Sequence, residues 1–127
     1  MNTNFKIAIA VAAGAALGAT AMQGLHAQAK PKAYIVTEIE VINDAAQAAY
    51  RPLVQSSIRS GGGRIFNTAG GKTVAFTGAA PKVVAITEWD SLEQAQAWRN
   101  SAAFKNLIPQ RDKAQKEIRS YAVEAVN

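Results

Sequence analysis

The chain has 127 residues, a formal net charge of +5 and no cysteine, and its single histidine and two methionines all precede residue 27. Beyond that point there is no thiol or imidazole, which excludes disulfides, cysteine or histidine catalysis and the usual soft-metal and haem ligands. The basic residues are spread out rather than clustered, which argues against nucleic-acid binding. We therefore expect no metal site, no cofactor and no nucleic-acid partner.

The N-terminal segment has the pattern of a cleavable export signal. Lys6 precedes an apolar run from Ile7 to Ala21, and small residues follow at Ala27 and Ala29 with the spacing that signal peptidase accepts. A retained membrane anchor is the alternative, but such a helix needs roughly 20 apolar residues. We expect cleavage near Ala29, a periplasmic or secreted location without stable membrane insertion, and one domain over residues 30–127.

The first element of that domain is a predicted strand over Ala33–Ile42, because its residues alternate and many are β-branched. Its apolar face carries Ile35, Thr37, Ile39 and Val41, and its mixed face carries Tyr34, Val36, Glu38 and Glu40. Asn43 and Asp44 offer an N-cap for a helix over residues 45–60, which glycines 61–63 end. Pro52 conflicts with this helix, and we expect a kink near it.

Two short strands are predicted next, over Arg64–Asn67 and Thr73–Thr77. Gly70 and Gly71 lie between them and suit a hairpin turn with positive φ. The strongest strand pattern of the chain then covers Val83–Trp89.

The last third of the domain predicts helices and a closing strand. Ser91, with Gln94 three places on, has the pattern of a capping box and opens a helix with Leu92, Ala95 and Trp98 inward. Ser101 predicts a further cap, and a helix ending near Lys116 follows. Residues 118–126 alternate again and close the sheet.

These elements predict an α+β fold with a ferredoxin-like βαββαβ order and an extra helical segment before the last strand. In that arrangement an antiparallel sheet has helices on one side only. The other face has no helices left to cover it. We therefore expect a homodimer in which a second copy covers this face.

Five short features occur in order along the domain: Gly62-Gly63-Arg64, Val84–Trp89 with Ser91, Ala97-Trp98, Ser101–Phe104 and Arg111. Together they resemble domain-of-unknown-function family 1330 of the dimeric α+β barrel superfamily, which also holds antibiotic-biosynthesis-type monooxygenases. The resemblance covers nearly all of residues 33–126. The family shows phenylalanine and proline after the strand glutamate, whereas Trp89 and Asp90 stand here, which would change the mouth of any cavity. The resemblance implies a homodimeric barrel and no known activity.

Glu88 is the first candidate site residue, because it ends a strongly apolar strand on the same face as Val84 and Ile86. A carboxylate there is costly unless it is paired or lies in a wet cavity. It is either a ligand-binding acid or proton acceptor with a raised pKa, or the partner of Arg64 or Arg111 in an ion pair. Both arginines suit a ligand carboxylate as well as Glu88.

Tyr34 and Glu38 are the remaining candidates for ligand binding, because they face the interdimer space if the opposite strand face packs under the helices. We expect Trp89 and Trp98 in the core rather than stacked on a ligand.

Three hypotheses for function stay open at this point. The first is an exported dimer that binds a small organic molecule. The second is a structural or partner-binding dimer whose barrel is filled by its own side chains. The third is a cofactor-independent monooxygenase or isomerase, against which the missing histidine counts.

Overall fold

One antiparallel sheet of four strands dominates the computed structural model, which describes residues 30–127. The predicted export signal lies outside the described residues. The strands occur in the spatial order β2-β3-β1-β4. Within residues 30–127 none of the helices has the length and apolar character needed to cross a bilayer. The strands are β1 (Ala33–Val41), β2 (Arg64–Phe66), β3 (Val83–Trp89) and β4 (Gln115–Glu124).

Four helices connect these strands and pack on one face of the sheet. Their order along the chain is β1-α1-β2-β3-α2-α3-α4-β4, which confirms the predicted ferredoxin-like plan with an extra helical segment. The α+β fold class is therefore as the sequence predicts. The helices are α1 (Asp44–Ser60), α2 (Leu92–Arg99), α3 (Ala102–Lys105) and α4 (Ile108–Ala114).

The core lies between the sheet and the helices. Both predicted core tryptophans are in it, since Trp89 is fully buried and Trp98 is 7% exposed. The two indoles stack with ring centroids 5.2 Å apart, and the Phe104 ring lies 4.7 Å from that of Trp98. The other core members are Ile35, Ile58 and Ala95.

The helix starts are capped as the sequence predicts. The Asn43 side chain accepts a hydrogen bond from the Ala46 amide at 2.8 Å, Ser91 accepts from Gln94 at 3.1 Å, and Ser101 accepts from Phe104 at 3.2 Å. These bonds satisfy amides that have no partner inside their helices. Helix α1 runs through Pro52 as one continuous helix.

The glycines after α1 allow a turn and a close approach. Gly62 adopts a φ of +91°, which favours glycine. A Cβ atom on Gly63 would lie 2.7 Å from both Ile58 and the Trp89 ring. The chain can therefore enter β2 against the core only without a side chain at this position.

The predicted strand over Thr73–Thr77 is wrong, and so is the positive φ at Gly70 and Gly71. Strand β2 pairs directly with β3, and residues 67–82 form a loop with neither helix nor strand. Positive φ occurs instead at Gly78. Val74 and Phe76 are 77% and 98% exposed. The segment therefore gains no burial of apolar side chains that would stabilise it as a strand.

The last strand begins earlier than predicted and contains a bulge. Strand β4 starts directly after α4, at Gln115. Its pairing with β1 shifts by one residue, because Arg119 lies opposite Glu38 whereas Glu117 lies opposite Ile39. Ile118 is the extra residue, and the shift turns Glu117 toward the helices.

Candidate ligand-binding site

Four of the five predicted site residues lie on the sheet face without helices, here called the open face. The register places Glu88 opposite both Tyr34 and Arg64. Arg64 donates to Glu88 Oε1 from Nη2 at 2.8 Å and from Nε at 3.0 Å, and Nη2 also donates to Asp90 at 3.0 Å. Lys32 Nζ lies 3.3 Å from the same Glu88 oxygen. Arg64 and Glu88 therefore form the ion pair that the sequence offered as one alternative.

The hydrogen bond from Arg64 holds the pKa of Glu88 below its ordinary value, and Lys32 acts in the same direction against the effect of burial. This direction is opposite to the raised pKa expected of a proton acceptor. The same cations lower the pKa of Asp90. Glu88 is an ionised, paired carboxylate in this fold.

The other predicted residues of the open face are also paired with neighbouring side chains. Glu38 accepts a hydrogen bond from Arg119 on β4, and Tyr34 stacks on Phe66 with ring centroids 6.2 Å apart. Between these pairs the open face is apolar. By register its apolar residues are Val36, Phe66, Val84, Ile86, Tyr121 and Val123.

Arg111 lies on the opposite side of the sheet, in a cavity of about 310 Å³ between the sheet and the helices. It does not meet Glu88, so the five predicted residues do not form one site. The apolar wall of the cavity includes Ile35, Val54, Ile58, Ala85, Trp98 and Phe104. Its polar end, as we call it, consists of Gln47, Tyr50, Arg51, Arg99, Arg111 and Glu117.

Glu117 is the centre of the polar end. Its two oxygens accept hydrogen bonds from Arg99 Nη2 at 2.6 and 2.8 Å, and Oε2 also accepts from Arg111 Nη1 at 3.3 Å. Arg111 in addition donates to the exposed carboxylate of Asp112. Both guanidiniums lie over the Phe104 ring, with their carbons 4.5 and 5.8 Å from its centroid, within the range of a cation–π contact.

Two uncharged polar groups complete the polar end. Burial raises the pKa of Tyr50 to about 12, although the positive charges of Arg111 and Arg99 oppose the rise. The phenol therefore stays protonated at neutral pH and is able to donate a hydrogen bond. Gln47 Oε1 is buried and accepts no hydrogen bond from any described residue.

The sequence did not single out Arg99, Glu117 or Gln47 for this cavity. Gln47 precedes the inward Tyr50 by three positions, so the helical period was an available signal. Leu53 of the same helix is 42% exposed, whereas the neighbouring Val54 lines the cavity. Glu117 had no such signal, because only the bulge turns it inward. No cluster of residues suited to a metal ion occurs within residues 30–127.

The sequence matches the family described as "Domain of unknown function (DUF1330)" over residues 32–126. Comparison with curated proteins finds no match.

Solved structures with the same fold include RPA0582, a protein of unknown function from Rhodopseudomonas palustris. It is 13% identical, with a TM-score of 0.62, and the match covers 85% of this chain and 93% of that one. SnoaB, a cofactor-independent oxygenase from Streptomyces nogalater, is 9% identical with a TM-score of 0.50, covering 76% of this chain and 95% of that one. At these identities the likeness shows the fold alone.

Proposed function

We propose that this chain, which belongs to the DUF1330 family, is an exported homodimer that binds a small organic molecule between its sheet and its helices. The observation that carries the proposal is the cavity of about 310 Å³. Small-molecule sites measure about 300–1,000 Å³ and combine apolar walls with a few convergent polar groups. The cavity has both features, since apolar side chains and the polar groups around Glu117 both line it.

The open face supports the homodimer. Phe66, Tyr121 and Val123 are between 41% and 49% exposed there, on a sheet face that has no helix against it. Charged pairs such as Arg64–Glu88 and Arg119–Glu38 lie on the same face. A second copy related by a two-fold axis would cover the apolar residues with an identical patch.

The signal-like pattern of residues 1–29 supports export. The cavity lies on the helix side of the sheet, so it offers a space for a ligand whether or not side chains fill the barrel between the two sheets. The likeness to SnoaB assigns no reaction to any residue of this chain. Binding is therefore the function for which the described residues supply an argument.

The test of the binding site uses 2-naphthalenemethanol, a neutral probe, in titration calorimetry with the mature protein. Val54→Trp places an indole in the cavity, and Leu53→Trp places one at the neighbouring exposed position of the same helix. We expect the wild type and Leu53→Trp to bind the probe and Val54→Trp to lose binding at least tenfold. Equal binding by all three proteins, or no binding of either this probe or 2-naphthoate by the wild type, would contradict the proposal.

Export and ligand retention are tested by native mass spectrometry of protein released from the periplasm without refolding. We expect a dimer of chains that begin near Lys30, carrying additional small-molecule mass that Val54→Trp lacks. A chain that keeps residues 1–29, or stays in the cytoplasm, would contradict export.

A further inference from the structure

We infer that the molecule bound in the cavity is an organic anion, with its charged group at the polar end and an apolar body along the wall. This inference rests on the proposed function and adds the chemical class of the ligand to it. It follows from the charges of the cavity, the donors left available and the size of the space.

The charges that line the cavity are unequal. Three arginines line the cavity, the exposed Arg51 and the less exposed Arg99 and Arg111, with one carboxylate, Glu117. Asp112 pairs with Arg111 from outside this lining, so the three arginines still exceed the two carboxylates by one. The side chains of Arg111 and Glu117 are only 17% and 21% exposed. Water therefore screens their charges less than it would at the surface. An excess of positive charge in a concave, partly dry space attracts an anion and disfavours a cation.

The ion pair with Glu117 does not use all the N–H donors of Arg99. A guanidinium carries five N–H donors, and Arg99 binds Glu117 through Nη2 alone. The cation–π contacts of Arg99 and Arg111 with Phe104 restrict both side chains before a ligand arrives. A carboxylate or sulfonate group on a ligand is the natural acceptor for such preoriented donors.

The uncharged groups refine the class of ligand. The Tyr50 phenol is a further donor for the anionic group. Gln47 Oε1 is a buried acceptor without a donor among the described residues, and such groups are rare because they cost free energy. A hydroxyl or N–H group on the ligand would supply the missing donor.

The size of the cavity limits the apolar body. A volume of about 310 Å³ equals that of about ten water molecules in the liquid. An apolar body of about ten non-hydrogen atoms is therefore suitable. The residues that would pack against it include Val54, Ile58 and Ala85.

The test compares 2-naphthoate with 2-naphthalenemethanol, which share one ring system and differ in charge. We expect wild-type protein to bind naphthoate at least tenfold more tightly than the alcohol, with the difference shrinking as salt is added. Equal affinities for the two probes would overturn the inference and leave the proposed function standing. If neither probe binds, or if both bind Val54→Trp as well as wild type, the proposed function fails too.

Variants at the polar end give a second test, in which two substitutions should change the affinity for naphthoate in opposite directions. Arg99→Gln should weaken naphthoate binding at least tenfold and leave binding of the alcohol within twofold. Glu117→Gln should tighten naphthoate binding, because it removes the only carboxylate that lines the cavity in the described residues. Arg59→Gln, an exposed arginine outside the cavity, is the control and should change neither affinity.

If Arg99, Arg111 and Glu117 form a purely structural ion cluster, Glu117→Gln lowers the unfolding temperature and leaves naphthoate affinity unchanged or weaker. That outcome would overturn the inference. The comparison of the two probes on the wild type requires no variant, so it stands if a variant fails to fold.

Discussion

Arg64 lowers the pKa of Glu88, and the first prediction tests this effect. Because Arg64 holds the pKa of Glu88 below its ordinary value, Arg64→Gln should raise that pKa toward the ordinary range. The measurement is a pH titration of the Glu88 carboxyl carbon by NMR. Lys82→Gln removes the partner of Glu40 instead and is the control. An unchanged pKa in Arg64→Gln would show that Lys32 alone sets it.

The sign of the linked stability change follows from the lowered pKa. The ionised Glu88 carboxylate stabilises the folded state fully above the pKa that it has in the unfolded chain. This contribution is lost as the pH falls through the lower folded-state pKa. Arg64→Gln should therefore reduce the loss of stability that wild-type protein shows over that acidic range.

Gly63 makes a second prediction at the residue scale, because a side chain there would overlap the core. Gly63→Ala places a Cβ 2.7 Å from Ile58 and Trp89, and we expect it to reduce the free energy of unfolding by about 1–3 kcal/mol. Urea denaturation followed by tryptophan fluorescence is the measurement. Gly70→Ala meets no atom within 4 Å and should stay within about 1 kcal/mol of wild type. Equal effects of both substitutions would contradict the argument.

At the scale of elements, α1 carries a proline that it does not need for capping. Pro52 has no N–H to donate within the helix, and its ring crowds the preceding turn. Pro52→Ala should increase the free energy of unfolding by about 1–3 kcal/mol. The measurement is again urea denaturation. A decrease would show that a kink at Pro52 is required for packing.

Pro109 is the matched control for this prediction. It lies in the first turn of α4, where a helix has no N–H partner to lose and the fixed φ of proline is favourable. Pro109→Ala should therefore give no increase of the kind expected for Pro52→Ala. A comparable gain from both substitutions would point to a general effect of removing proline from the chain.

Elements also differ in how well their sequences predict them. Strand β1 alternates clearly and β3 is strongly apolar, and each is recognised within a residue or so of its bounds. The segment Thr73–Thr77 has the same β-branched character but finds no neighbour in the sheet. Whether such a segment forms a strand depends on pairing with distant residues, which local pattern does not contain.

For the whole molecule, the open face predicts that folding and dimerisation are coupled. Val36 lies on the central strand β1 and faces away from the helices. Val36→Asp should convert the dimer into a monomer in analytical ultracentrifugation and lower the unfolding temperature, because mass action no longer stabilises the fold. Ala48→Asp, at an exposed position of α1, should remain dimeric. A monomeric wild type would contradict the coverage of the open face.

The amino-acid sequence by itself determined the order of elements apart from the additional strand predicted over Thr73–Thr77. It also determined the caps at Asn43, Ser91 and Ser101, the two core tryptophans and the family. These features depend on residues within a few positions of one another or on a pattern spread along the chain. It identified Arg64 and Glu88 as possible partners without deciding between pairing and ligand binding. The paired carboxylate follows from the register of β2, β3 and β1.

Only the tertiary structure decided that the predicted site residues lie on opposite sides of the sheet. Arg111 meets Arg99 and Glu117 because a bulge at Ile118 turns one strand end inward and because three helices converge on Phe104. A shift of one residue in a strand exchanges its two faces. Long-range register of this kind is set by packing, so the cavity could not be derived from local sequence.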